Sequence, residues 1–152
     1  MNHYLLLRFL HLLGVLGFVA AHGATITVTF KLRSEREPAR VKTMLELSRA
    51  TRHVMYASFT LLLAAGVSMG FVAHLWGSGW IWTSLVLLFL LFAAAFPLAL
   101  PYFGAIRRAV AAEPVDKDAL VRLLKSPRGL VLAWVETIGI LLILGLMVWK
   151  PF

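Results

Sequence analysis

The chain has 152 residues, 61% hydrophobic and only 14% charged, with a mean hydropathy of +0.85; soluble domains carry about a quarter charged residues, so this is the composition of a membrane protein. Fifteen Lys and Arg against seven Asp and Glu give a formal charge of +8, but the basic residues lie between apolar runs, which directs them to anionic lipid headgroups and not to nucleic acid. Without cysteine the chain has no disulfide, thiolate metal site, iron–sulfur cluster or cysteine nucleophile.

The first apolar run begins like a secretory signal, with small residues at Ala20, Ala21, Gly23 and Ala24, but it continues to Phe30 and is read as a retained span. About 20 apolar residues cross a bilayer core as a helix. Four segments qualify: Tyr4 to Phe30, His53 to Ala73, Gly79 to Phe103 and Gly129 to Trp149. In lipid every backbone amide must be satisfied within the chain, which forces helices over open strands. The expected fold is all-α, a four-helix transmembrane bundle forming one integral membrane domain over residues 1–152.

Between the first two spans lie Lys31, Arg33, Arg36, Arg40, Lys42, Arg49 and Arg52; between the last two lie Arg107, Arg108, Lys117, Arg122, Lys125 and Arg128. The connection HLWGSG has no Lys or Arg. The positive-inside rule then puts both basic loops in the cytoplasm and both termini outside, with Trp76, Trp80, Trp82 and Trp149 as an outer aromatic belt. Pro38 and the spacing of Val41, Met44, Leu45 and Leu47 predict a helical extension leading into the second span. Asp116 to Lys125 reads as a short amphipathic helix, and Ser126-Pro127 as the cap and first turn of the fourth span. A shift of 76 residues superposes Glu37-Pro38 on Glu113-Pro114 and Arg52 on Arg128, the pattern of two parallel two-helix repeats.

Charged groups within spans cost about 2.5 to 3.5 kcal/mol each, so the few present are expected to face the bundle interior. On the first span Arg8, His11, His22, Thr25 and Thr29 fall within a sector of roughly 100°. On the second, Tyr56 and Thr60 share an edge with His53 and His74. Counting from Lys31 and Arg128 puts His22 and Glu136 at one depth, about 12 to 14 Å from the basic boundary, where they can pair as structural glue or as a proton site. The same counting, from Lys31 and Arg52, puts His11 and His74 together near the outer surface beside Arg8, as candidate haem or metal ligands, since imidazole is a common axial ligand. Glu136 is the only carboxylate within a span, and no phosphate loop, HExxH helix or GxSxG elbow occurs. Gly14, Gly17, Gly66 and Gly70 suit close helix packing, and Pro97 and Pro101 are expected to bend the third span.

The opening YLLLRFLHLLGVLGFVAAHGATITVTFKLR, the RHVMYASFTLLLAAGVSMG span and the closing LGLMVWKPF resemble a bacterial family of small predicted integral membrane proteins of unknown function. That family is distantly similar to the copper-resistance D and membrane protoporphyrinogen oxidase proteins. The resemblance matches His11 in FLHLLG to the wider group's first-span histidine and implies copper or haem b handling, although Gly17-Phe18 stands where those relatives have Trp-Gly. It also implies a bacterial inner membrane. Three functions fit these residues. The first is a non-enzymatic accessory or assembly subunit, its polar edges covered by other membrane subunits or by further copies of the chain. The second is a haem- or copper-binding protein using His11 with His74 or His22. The third is proton or small-solute passage along Arg8, His11, His22 and Glu136.

Overall fold

The computed structural model describes residues 3–152, so residues 1 and 2 of the expected domain lie outside the described residues. Its elements are α1 (His3–Leu32), α2 (Pro38–Val72), a single 3-10 turn (Leu75–Gly77), α3 (Gly79–Ala111), α4 (Lys117–Lys125) and α5 (Pro127–Trp149). Four of the helical segments are long and apolar enough to cross a membrane. The expected all-α fold with four spans is what is observed.

Local chemistry sets the element boundaries. Pro38 sits in the first turn of α2, where its missing N–H costs nothing. The carboxylate of Asp116 accepts from the backbone N–H of Asp118 and Ala119 at 3.0 and 2.9 Å, capping α4. Ser126 caps α5 ahead of Pro127, as the Ser-Pro pair predicts. In the turn before α2, Glu35 accepts from the N–H groups of Glu37 and Arg36, which hold its exposed carboxyl below the usual range. At 1.5 Å per residue α2 is about 52 Å long against a hydrocarbon core of about 30 Å. Its first turns, with Arg40, Lys42 and Arg49, are the expected extension, so much of the first basic loop is helix. α3 also outruns its predicted end at Phe103, continuing to Ala111 because nothing before Glu113-Pro114 breaks it.

The helices form two antiparallel pairs. α1 packs along α2 and α3 along α5, while the pairs touch each other far less. In the first pair Gly14 lies directly against the backbone of α2: a Cβ there would lie 2.6 Å from the backbone nitrogen of Leu62. Gly17 likewise meets Ser58. The pairs are joined at the basic end by a core of Val28, Leu32, Val41, Leu45, Tyr102, Ile106, Leu120 and Leu124. Leu120 and Leu124 lie one helical turn apart on α4 and are essentially fully buried. Arg33 crosses to the other half and donates to the carbonyls of Lys125 and Ser126 at 3.0 and 2.8 Å, satisfying acceptors that the break before Pro127 leaves open. The two halves share helix, basic loop and helix. They differ in that α2 is continuous where the second half breaks into α4 and α5.

The Gly14–Leu62 contact generates a paired test. Gly14→Ala must push α1 off α2 and is expected to cost about 1 to 3 kcal/mol. Gly23→Ala, whose Cβ would meet nothing within 4 Å, is expected to leave stability unchanged or to raise it by up to about 1 kcal/mol through helix propensity. Thermal unfolding of the two variants in one detergent checks both.

Candidate functional site

Away from the basic end the two helix pairs leave a cavity of about 550 Å³ between them, lined from α1, α2, α3, α5 and the 3-10 turn. Its walls are apolar, with Leu62, Leu88 and Ile143 among them. Arg8 and His11 enter it from α1, Trp76 from the 3-10 turn and Lys150 from the residue after α5. No Asp or Glu is among its lining residues. Phe18 and Phe59 line it toward the basic end, and their rings continue to Phe92 on α3, with centroids 5.8 and 4.7 Å apart. This aromatic layer ties α1, α2 and α3 together.

Directly beneath it lies the one intramembrane acid. Phe18 stacks on the His22 imidazole at 5.8 Å with the rings nearly parallel. His22 Nε2 faces Glu136 Oε2 on α5 at 3.5 Å, and the two side chains are only 11% and 22% exposed. That separation exceeds the 2.7 to 3.2 Å of an ordinary N–H···O hydrogen bond, and Nε2 is buried with no hydrogen-bond partner. The pair is the polar contact between the two helix pairs within the spans. Neither residue lines the cavity.

Thr25, Thr29 and His11 of the first-span polar edge are hydrogen-bonded within the chain. Thr25 donates to the Ala21 carbonyl at 3.3 Å and Thr29 to the Thr25 carbonyl at 2.9 Å. His11 Nδ1 lies 2.8 Å from the Leu62 carbonyl oxygen, so Nδ1 carries the proton in that contact and Nε2 is left as the basic nitrogen. Its ring rests where a side chain on Gly66 would be, 3.1 Å from a Cβ built there. The second-span edge turns outward instead: Tyr56 is 54% exposed, and Thr60 and His53 are exposed as well.

His74 departs from its expected place. α2 ends at Val72, and His74 follows in the left-handed region at φ 53°, exposed and outside the cavity lining. It therefore lies on no helix edge and not beside His11. The register explains the error. With Gly14 against Leu62, Lys31 is level with Leu45, about 10 Å from Arg52 along α2. A long arginine stem reaches the boundary from inside the core, so Arg52 marks it loosely. The structure thus gives the cavity a single imidazole, His11, with His22 stacked under Phe18 and His74 beyond the helix end. A haem or metal held between two of these histidines does not fit that arrangement, and among the described residues no three His, Asp or Glu side chains converge.

Sequence reasoning passed over Trp76 and Lys150 as lining groups and Phe18, Phe59 and Phe92 as a layer. Lys150 had a signal, as the lone cation after the last span. The aromatic layer had none, because three Phe residues among ten carry no local mark of facing one another.

Residues 5–151 match the model of the family described as "Predicted integral membrane protein (DUF2269)", almost the whole chain, and the chain belongs to that family. No curated protein and no solved structure matches it.

A double-mutant cycle of His22→Ala and Glu136→Gln measures the tie between the helix pairs. The expected coupling is about 0.6 kcal/mol, the mean for polar contacts between membrane helices, with about 1.7 kcal/mol as the upper end. Additive losses of stability would mean that the 3.5 Å contact contributes nothing.

Proposed function

We propose that the chain is a non-catalytic accessory or assembly subunit of the bacterial inner membrane, working through what it holds and not through a reaction. The observation that carries this reading is the enclosure of the His22–Glu136 pair, only 11% and 22% exposed, with Phe18 and its aromatic layer above it and the buried core of α1, α2, α3 and α4 toward the basic end. A largely buried pair capped by a stacked phenylalanine is suited to fixing helices. The outward edge of α2, with exposed Tyr56 and Thr60, offers polar groups to a partner helix or to a second copy of the chain.

Both termini face outward and both basic loops face the cytoplasm in this reading, supported by the placement of Lys and Arg. A groove between α2 and α3 lined by Lys42, Arg49 and Arg107 with only Glu46 against them supports contact with anionic headgroups on that side.

His11 favours a second reading. An imidazole whose Nδ1 is engaged by a backbone carbonyl presents Nε2 in the form that binds haem iron or copper, the arrangement seen around metal-bound histidines. On this chain it would do so as the one protein imidazole in the cavity. Purified protein exposed to hemin should then give a Soret spectrum, and protein exposed to copper(I) should retain the metal through gel filtration, both lost in His11→Ala, whereas a variant that keeps both removes the reading.

The principal reading predicts that mild-detergent purification recovers the chain with stoichiometric membrane partners or as a defined homo-oligomer. A stable, isolated monomer is the opposite result. In proteoliposomes, His22→Ala and Glu136→Gln should leave proton flux at the wild-type background, and a flux that both variants abolish would favour proton passage instead.

A further inference from the structure

The cavity between the helix pairs has room for a guest, and its lining chemistry bears on what class would fit. From Arg8 to Phe18 is ten residues of helix, about 15 Å, half of a hydrocarbon core of about 30 Å. The cavity is therefore about one leaflet deep, closed at its inner end by Phe18 and Phe59. Its volume of about 550 Å³ falls within the roughly 300 to 1,000 Å³ of small-molecule sites.

The polar groups gather at the other end. Arg8 lies near the start of α1 and Lys150 just beyond α5, both among the lining residues, and no carboxylate side chain lines the cavity to balance them. Lys150 Nζ stands 5.6 Å above the Trp80 ring, which orients the ammonium without neutralising it. Trp76 supplies an independent sign: its indole lines the cavity, and its Nε1–H is buried with no acceptor among the described residues. Buried donors in native proteins are nearly always satisfied, so an orphan beside a cavity asks for an acceptor from outside the chain. Gly70 shapes this wall, since a Cβ there would lie 2.8 Å from the Trp76 ring.

We infer that this cavity binds a single-chain acidic lipid, its anionic head between Arg8 and Lys150 and its acyl chain running down to Phe18 and Phe59. Two cations at the membrane boundary select the charge, and an apolar slot one leaflet deep selects the tail. Carboxylate and phosphate heads meet the same requirement. This site is separate from the outward edge of α2 and from the largely buried pair, and it does not depend on the accessory role.

Binding of radiolabelled palmitate, 1-palmitoyl-lysophosphatidate and hexadecanol to the full chain in neutral-lipid nanodiscs tests the inference. At least one acid is expected to bind saturably at one site per chain, at least tenfold tighter than the uncharged alcohol. Which acid binds identifies the head, and inorganic phosphate at millimolar concentration should not displace it. The Arg8→Gln/Lys150→Gln variant should lose most of that tenfold preference while keeping its binding of hexadecanol and its unfolding temperature. Leu88→Trp, which fills the slot without touching the charges, should weaken all three probes. Equal binding of acid and alcohol, or an unchanged preference in the charge variant, would overturn the proposal.

Discussion

Inside hydrocarbon the hydrophobic effect does not press helices together, because lipid tails are as apolar as leucine. The rest of this architecture follows from where that force is available. α1, α2 and α3 share a conventional apolar core at the basic end, where α4 lays Leu120 and Leu124 against Leu32, Val41 and Ile106. Fully burying one such side chain from water contributes about 1.5 to 3 kcal/mol, so this end can hold the two pairs together. Within the spans other devices replace it. Gly14 brings α1 against the backbone of α2, and Gly139 receives Leu91 across α3 and α5. Across the pairs the ties are the aromatic layer and the His22–Glu136 contact.

Beyond that layer the pairs meet again at the 3-10 turn, where Trp76 packs on Phe71 and Trp82 and its carbonyl accepts from the Trp82 indole, and the cavity lies between the two contacts. It is bounded by the elements that the fold must place there in any case: the start of α1, the 3-10 turn with Trp76 and the end of α5 with Lys150. The molecule therefore carries two separate polar features, a largely buried pair toward the basic end and an apolar slot with a cationic rim at the other. Separating them removes the continuous line of Arg8, His11, His22 and Glu136 that a helical projection of α1 suggests, because Phe18 interrupts it between His11 and His22.

Much of the fold was legible because its signals are local. Pro38, Asp116 and Ser126-Pro127 act through their own backbone, and apolar length alone marks a span. The His22–Glu136 contact was legible as well, since Lys31 and Arg128 end their spans at one level and helical rise is fixed. The same ruler failed for His74. Arg52 sits on a helix that continues past the boundary, and α2 stops two residues before the histidine. α3 was cut short at Phe103 because its apolar run ends there while its hydrogen-bond ladder continues. The cavity was not legible at all. It is a lack of contact between helices distant in sequence, and no residue pattern within one helix records what the opposite pair leaves unfilled.

The aromatic layer divides the bundle into an accessible cavity at the end away from the basic loops and a largely buried polar pair on its other side. The chain has no cysteine of its own, so single cysteines report directly on that division. Val15→Cys and Leu144→Cys lie on the cavity wall; Ala21→Cys and Ala133→Cys lie at the level of the pair, both buried. In the folded protein an anionic, water-soluble thiosulfonate should modify the first two and leave the last two unmodified, with all four reacting after denaturation. Modification of Ala21→Cys or Ala133→Cys in the folded state, at the rate of Val15→Cys, would contradict the account.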